Sequence, residues 1–99
     1  MDRIFHVAMP EKWAAAGDDY EHGSLAAEGF IHCSFAEQVA GVLSRYFSDV
    51  VEVTILEIDP SMLTSKLVVE SSTNGEKFPH VYGPINRHAV VDAETRKLR

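Results

Sequence analysis

A single cysteine, Cys33, stands in a chain of 99 residues. No internal disulfide can form, and a reducing cytoplasmic setting is expected. No apolar run approaches the ~20 residues that span a bilayer, and Val53 to Leu56 is already broken by Thr54. The opening Met1-Asp2-Arg3-Ile4 lacks the apolar stretch of a signal peptide, so none is expected. Basic residues are the minority, 9 Lys and Arg against 15 Asp and Glu, for a net charge of −6. That balance argues against affinity for duplex nucleic acid, which is driven by cations meeting phosphates. A small nucleotide needs only a few local donors and remains open. Glycine-rich phosphate loops and a Gly-x-Ser-x-Gly elbow are both missing. So are repeats, linkers and low-complexity stretches. Hydrophobic residues at 45% rule out disorder. The length supports one domain over residues 1–99.

What is present reads as short alternating elements. Ile4 to Ala8 is apolar and extended, a strand. Pro10 opens a helix, since its missing N–H costs nothing at the first helical position, and Gly17 is placed to stop it. Asp18 to Gly23 is a polar loop. Ser24 to Glu28 makes one helical turn closed by Gly29, and Phe30 to Cys33 a second strand. Ser34 and Glu37 have the spacing of a capping box. A helix is expected from there through Phe35, Val39, Val42, Leu43, Tyr46 and Phe47, whose spacing puts all six on one face. Val50 to Ile58 is apolar on both alternating faces and reads as a central strand. Asp59-Pro60 caps a short turn. Lys66 to Ser71 and Phe78 to Tyr82 read as strands around an Asn74-Gly75 turn, with Gly83-Pro84 ending the second. His88 to Ala93 is the last strand, and the charged Glu94 to Arg99 is expected to fray. Helices early and strands late point to α+β.

Five histidines are the unusual content. His6, His32 and His80 each interrupt an apolar segment, whereas His22 and His88 lie in polar surroundings and read as surface residues. A half-buried imidazole needs partners for both nitrogens. Any one of the three alone reads as a structural histidine; three together read as polar groups converging on a ligand cleft. Zinc needs three or four ligands, often with a close pair. No His-x-x-x-His or Cys-x-x-Cys occurs, so no metal is expected. Cys33 precedes a helix start that would lower a thiol pKa, but strand alternation turns it away from the face of His32 and Ser34. A small buried side chain is its simpler role. Ser34 faces a site, and the helix start behind it offers amide donors to an anion. Trp13, Phe30, Phe78 and Tyr82 are candidate stacking surfaces or core. Among the acids, Asp59 reads as a cap, while Glu57 and Glu70 lie near strand ends, either solvated or functional.

Ile4-Phe5-His6, Trp13, Glu28-Gly29-Phe30-Ile31-His32-Cys33-Ser34, Leu56-Glu57-Ile58-Asp59 and Phe78-Pro79-His80-Val81-Tyr82-Gly83-Pro84 together resemble the bacterial family of domain-of-unknown-function 952 proteins. The resemblance covers nearly the whole chain, with Phe5 where the family usually has Tyr. That family is similar in fold to the ADP-ribosyltransferase superfamily. The resemblance implies a single α+β domain of two small twisted sheets with two main helices. It also implies a cleft for NAD, ADP-ribose or a related nucleotide. His6 would hold the nicotinamide side, and His32 or Ser34 would line the same cleft. The superfamily's third motif is a Glu; here His80 and Glu70 are the candidates for its position. Tyr82 completes the ligand-binding set. In an enzyme, His32 or His80 would be the acid/base group, since an unperturbed imidazole titrates near neutral pH. A non-catalytic binding module with the same cleft is the second expectation, and a scaffold with structural histidines the third.

Overall fold

The computed structural model describes residues 2–72 and 74–99. Its centre is a four-stranded antiparallel sheet in the order β4-β1-β5-β9, with β1 Ile4–Ala8, β4 Ser34–Phe35, β5 Glu52–Ile58 and β9 Val90–Lys97. The strand β5 is buried along most of its length, as apolar residues on both its faces require. Alternation sends the two faces of this sheet to different cores. Ile4, Ala8, Leu56 and Ile58 join Tyr20, Ile31, Cys33, Val81 and Ile85 in the main core. Val7, Val53 and Ile55 meet Val39, Val42, Leu43 and Phe47 on the opposite face. The last four lie on or just after helix α3, Val39–Tyr46. His6 lies between Ile4 and Ala8 and therefore faces the main core.

A three-stranded sheet, β3-β7-β6, packs against that core through Ile31 and Val81. Its strands are β3 Ile31–His32, β6 Lys66–Ser71 and β7 Lys77–Tyr82. A two-stranded ladder pairs β2, Asp19–Tyr20, with β8, Ile85–Asn86. Two six-residue helices, α1 Pro10–Ala15 and α2 Gly23–Glu28, complete a single compact α+β domain. Gly29 closes α2 in the left-handed conformation at φ 90°, where a glycine is favoured. Among the described residues, no helix is long and apolar enough to cross a membrane.

Five expectations need correction. Among the described residues the sheets number three, counting the short ladder, and the helices are three short ones rather than two main ones. The expected strand from Phe30 to Cys33 is interrupted: the Cys33 N–H bonds to the Pro79 carbonyl at 3.0 Å, and Ser34 then pairs with Phe5 in the other sheet. The Ser34–Glu37 capping box does not form. The Ser34 backbone is committed to that ladder, and Gln38 Oε1 accepts from the Phe35 N–H at 2.9 Å. The chain consequently enters α3 through a 3-10 turn at Ala36–Gln38. Phe35 packs on the main core, and Tyr46 is 73% exposed, so neither belongs to the buried face of α3. Lastly, Glu94 to Lys97 is not frayed. It continues β9 along β5, pairing Glu94 with Ile55 and Lys97 with Glu52. Its charges suit an edge strand that must resist pairing with other chains.

Candidate functional site

Strand β4 is only two residues long and pairs β1 at Ile4 and Phe5 alone. The β1 edge is left open from His6 onward, and a cleft of about 530 Å³ lies there, between the two larger sheets. His6, His22, His32, His80, Glu28 and Phe30 line it, with Cys33 and Ser34. Phe78, Val7 and the α3 side (Val42, Tyr46, Phe47) supply apolar wall, and Ser71 and Ser72 add hydroxyls. A volume of this size suits a drug-sized ligand.

Register explains why so many of these residues meet. On β7, Phe78, His80 and Tyr82 share the face opposite to core residue Val81. His80 stands directly across from His32 on β3. Glu70 stands across from Phe78 on β6. Phe30, two residues before His32, completes the face. Its ring stacks on His80 at 4.0 Å and 17°. It also meets the rings of His32 at 4.8 Å and Tyr82 at 5.3 Å. The His32 and His80 rings are 5.3 Å apart, edge to face.

Each histidine has a different set of partners. His80 is buried, and its Nδ1 lies 2.8 Å from Glu70 Oε1. The Tyr82 hydroxyl donates to the same oxygen at 2.6 Å. The Tyr82 and His80 hydrogen bonds, in that order, hold the Glu70 carboxyl below the usual carboxylate range. The bond to Glu70 in turn raises the Tyr82 phenol. His32 sits at the rim, half exposed, with Nε2 3.0 Å from Glu28 Oε2. His6 is sealed in. Its Nδ1 lies 2.7 Å from the His32 carbonyl and its Nε2 2.9 Å from the Tyr20 hydroxyl. A carbonyl only accepts, so Nδ1 carries the proton and Nε2 accepts from Tyr20. Burial above all pushes the His6 pKa down to about 4; His22 and His32 add repulsion, and the carbonyl bond opposes the fall. Burial, with a smaller effect of Cys33, pushes Tyr20 up to about 12, so its hydroxyl keeps the proton it donates.

His22, read from sequence as a surface residue, is exposed but belongs to the cleft. Its ring meets His6 at 5.3 Å, edge on. Its Nδ1 accepts from the Ser24 N–H at 3.1 Å as the cap of α2. Burial first, then His32, lowers its pKa, with Glu28 opposing. Nothing in its local sequence signals this, because α2 carries it to the site. Glu28, Ser71 and Ser72 are further lining residues the sequence reading left out; for Glu28, its position four residues before His32 was the available signal.

The remaining candidates separate. Ser34 is buried and lines the cleft. Glu70 and Tyr82 lie behind His80 rather than on the lining. Trp13 packs on the main core beneath Arg87, whose guanidinium sits 4.0 Å from its ring centre. Glu57 pairs with Arg3 at 3.2 Å, away from the cleft. Asp59 caps its turn by accepting from the Ser61 N–H and hydroxyl, which lower its pKa. Burial pushes the Cys33 thiol far above its ordinary range, which leaves no thiolate for nucleophilic chemistry. His88 is exposed in a 3-10 turn.

Together these features define a small α+β protein with a histidine-lined cleft walled by aromatic rings. The chain belongs to the family described as protein of unknown function (DUF952), which it matches over residues 7–93. It is similar to protein CC0527 from Caulobacter crescentus. The crystal structure of that protein is 27% identical, covers 98% of this chain and 86% of its own, and superposes with a TM-score of 0.83. Its solution NMR structure is 27% identical, covers 100% and 88%, and gives a TM-score of 0.84. No curated protein matches the chain.

Proposed function

We propose that the cleft is a binding site for NAD, ADP-ribose or a related nucleotide in an ADP-ribosyltransferase-like domain, with His80 as its acid/base group. The observation that carries this reading is the shared face on which Phe30, His32 and His80 meet beside a cleft of nucleotide size. Flat rings and imidazoles suit a base or nicotinamide ring and the hydroxyls of a ribose. The lining contains neither Lys nor Arg among the described residues. His6 is neutral at pH 7, and His22 is lowered. Recognition therefore rests on the ring and ribose, with the Ser34 and Ser71 hydroxyls as neutral donors to phosphate. His6 has both nitrogens engaged by protein, which favours a structural role for that residue. Of the two candidate acid/base groups, His80 is the better supported, because Glu70 is hydrogen-bonded to its Nδ1 and leaves Nε2 for a ligand.

Thermal denaturation with NAD, ADP-ribose, nicotinamide, a 2′-phosphorylated nucleotide and inorganic pyrophosphate tests this. A ligand at ~100 Kd adds about 2.7 kcal/mol of stability. Nucleoside-bearing ligands should raise the midpoint, and pyrophosphate should not. His80→Gln should retain the shift and lose any conversion of NAD to nicotinamide. No shift with any nucleotide would overturn the reading and leave a scaffold with structural histidines.

A further inference from the structure

We infer that Glu70 and Tyr82 are positioning residues that fix the tautomer of His80, so that its Nε2 is a resting proton acceptor directed at the cleft. The geometry carries this without any ligand. An ionised carboxylate accepts and cannot donate. Glu70 Oε1 receives both the Tyr82 hydroxyl at 2.6 Å and His80 Nδ1 at 2.8 Å. The proton of the neutral ring is therefore on Nδ1, and the lone pair is on Nε2. Among the described residues, Nε2 has no protein partner, yet no buried side-chain nitrogen or oxygen is left unsatisfied. Nε2 consequently reaches the open space of the cleft that His80 lines. Phe30 stacks on the ring at 4.0 Å and covers one of its faces.

The neighbouring histidines are held differently, which singles out His80. His32 directs Nε2 outward to Glu28 at the rim. His22 accepts at Nδ1, so its neutral ring carries the proton on Nε2 and presents a donor. His6 offers neither nitrogen. His32 also has a carboxylate on one nitrogen, but at the half-exposed rim; His80 has it behind a ring buried against the cleft, with Nε2 as the acceptor in front. That is the arrangement in which a carboxylate orients an imidazole base and stabilises the imidazolium it becomes. A ligand hydroxyl, or a water beside the ligand, would transfer its proton to Nε2. The positive charge then formed on the ring would be balanced by Glu70. This use of His80 rests on the nucleotide-cleft reading; the tautomer does not.

The test is two-bond 1H–15N NMR of the histidine rings on the ligand-free protein, at a pH high enough that the rings are neutral. Wild type should show His80 protonated on Nδ1 and bare on Nε2. Glu70→Ala removes the acceptor at Nδ1 and should move His80 toward the Nε2–H form. His6, fixed by a carbonyl elsewhere, should keep its Nδ1–H form in the same spectrum and so report that the fold is intact. Tyr82→Phe leaves the carboxylate in place, so His80 should remain Nδ1–H while the Glu70 carboxyl titrates at higher pH. His80 protonated on Nε2 in wild type would overturn the inference even if no variant folds. A Nδ1–H form that persists in Glu70→Ala would overturn it too. Neither result depends on NAD binding, so failure here is distinct from failure of the ligand screen.

Discussion

His6 makes the stability of this protein sensitive to mild acid. Its folded pKa is about 4 against 6.5 for a free imidazole. The unfolded chain therefore binds a proton at a higher pH than the folded one. Stability rises with pH wherever the unfolded state holds more protons. The contribution of neutral His6 is fully present above pH 6.5 and is lost as pH falls from there toward 4. At ~1.36 kcal/mol per pKa unit, the loss amounts to about 3 kcal/mol. That is a large share of the roughly 5–15 kcal/mol typical of a domain. His22, also lowered, adds in the same direction. The lowered carboxyls of Glu70 and Asp59 lose their contributions only as pH falls through their own folded values, deeper in acid. Urea unfolding between pH 7.5 and 4 should show the decline in wild type. His6→Gln, which cannot titrate, should be less stable at pH 7.5 and show a flatter decline. Comparing slopes removes the neutral-pH cost of the substitution from the argument. An equal slope in both proteins, or a His6 NMR titration midpoint near 6.5, would refute it.

Three further outcomes follow from the fold. Gln38 ties the start of α3 to Phe35, Glu76 and Lys77; Gln38→Ala should cost about 1 kcal/mol and Ser34→Ala clearly less, and the reverse order in urea midpoints would restore the Ser34 cap. Arg87 donates to the Gly17, Trp13 and Ala16 carbonyls and covers the Trp13 ring; Arg87→Ala should cost about 1–2 kcal/mol and shift Trp13 fluorescence, and unchanged emission would show the contact is not kept in solution. Gly83 has φ 153°, and a Cβ there would collide with the Ser65 side chain; Gly83→Ala should therefore cost about 1–3 kcal/mol, and a thermal midpoint equal to wild type would refute the strain.

Much of the fold was legible because its signals are local. The two-sided apolar pattern of Val50 to Ile58 marked the central strand, found at Glu52–Ile58, and Asp59-Pro60 announced its cap. The apolar settings of His6, His32 and His80 already pointed to one shared cleft. What escaped was set by partners distant in sequence. Ser34 has a capping residue's chemistry, but pairing with Phe5 fixes its backbone as strand. Glu94 to Lys97 looks like a frayed tail until β5 gives it a partner. His22 looks like a loop residue until α2 brings it against His6.

The histidine pattern shows where reading by residue type reaches its end. In sequence, His6, His32 and His80 are equivalent: each is an imidazole inside an apolar strand. Their partners make them unequal. His6 bonds the His32 carbonyl from the core and so joins β1 to β3, the two strands that frame the cleft. His32 has its ring at the rim against Glu28. His80 has a carboxylate behind it and open space before it. One builds the cleft, one borders it, and one presents a lone pair within it. Convergence of polar groups on a pocket locates a site, but the atom bonded to each nitrogen decides what the group can do there. By that criterion the proposed acid/base role falls to His80 rather than His32, and His6 serves it by tying β1 to β3.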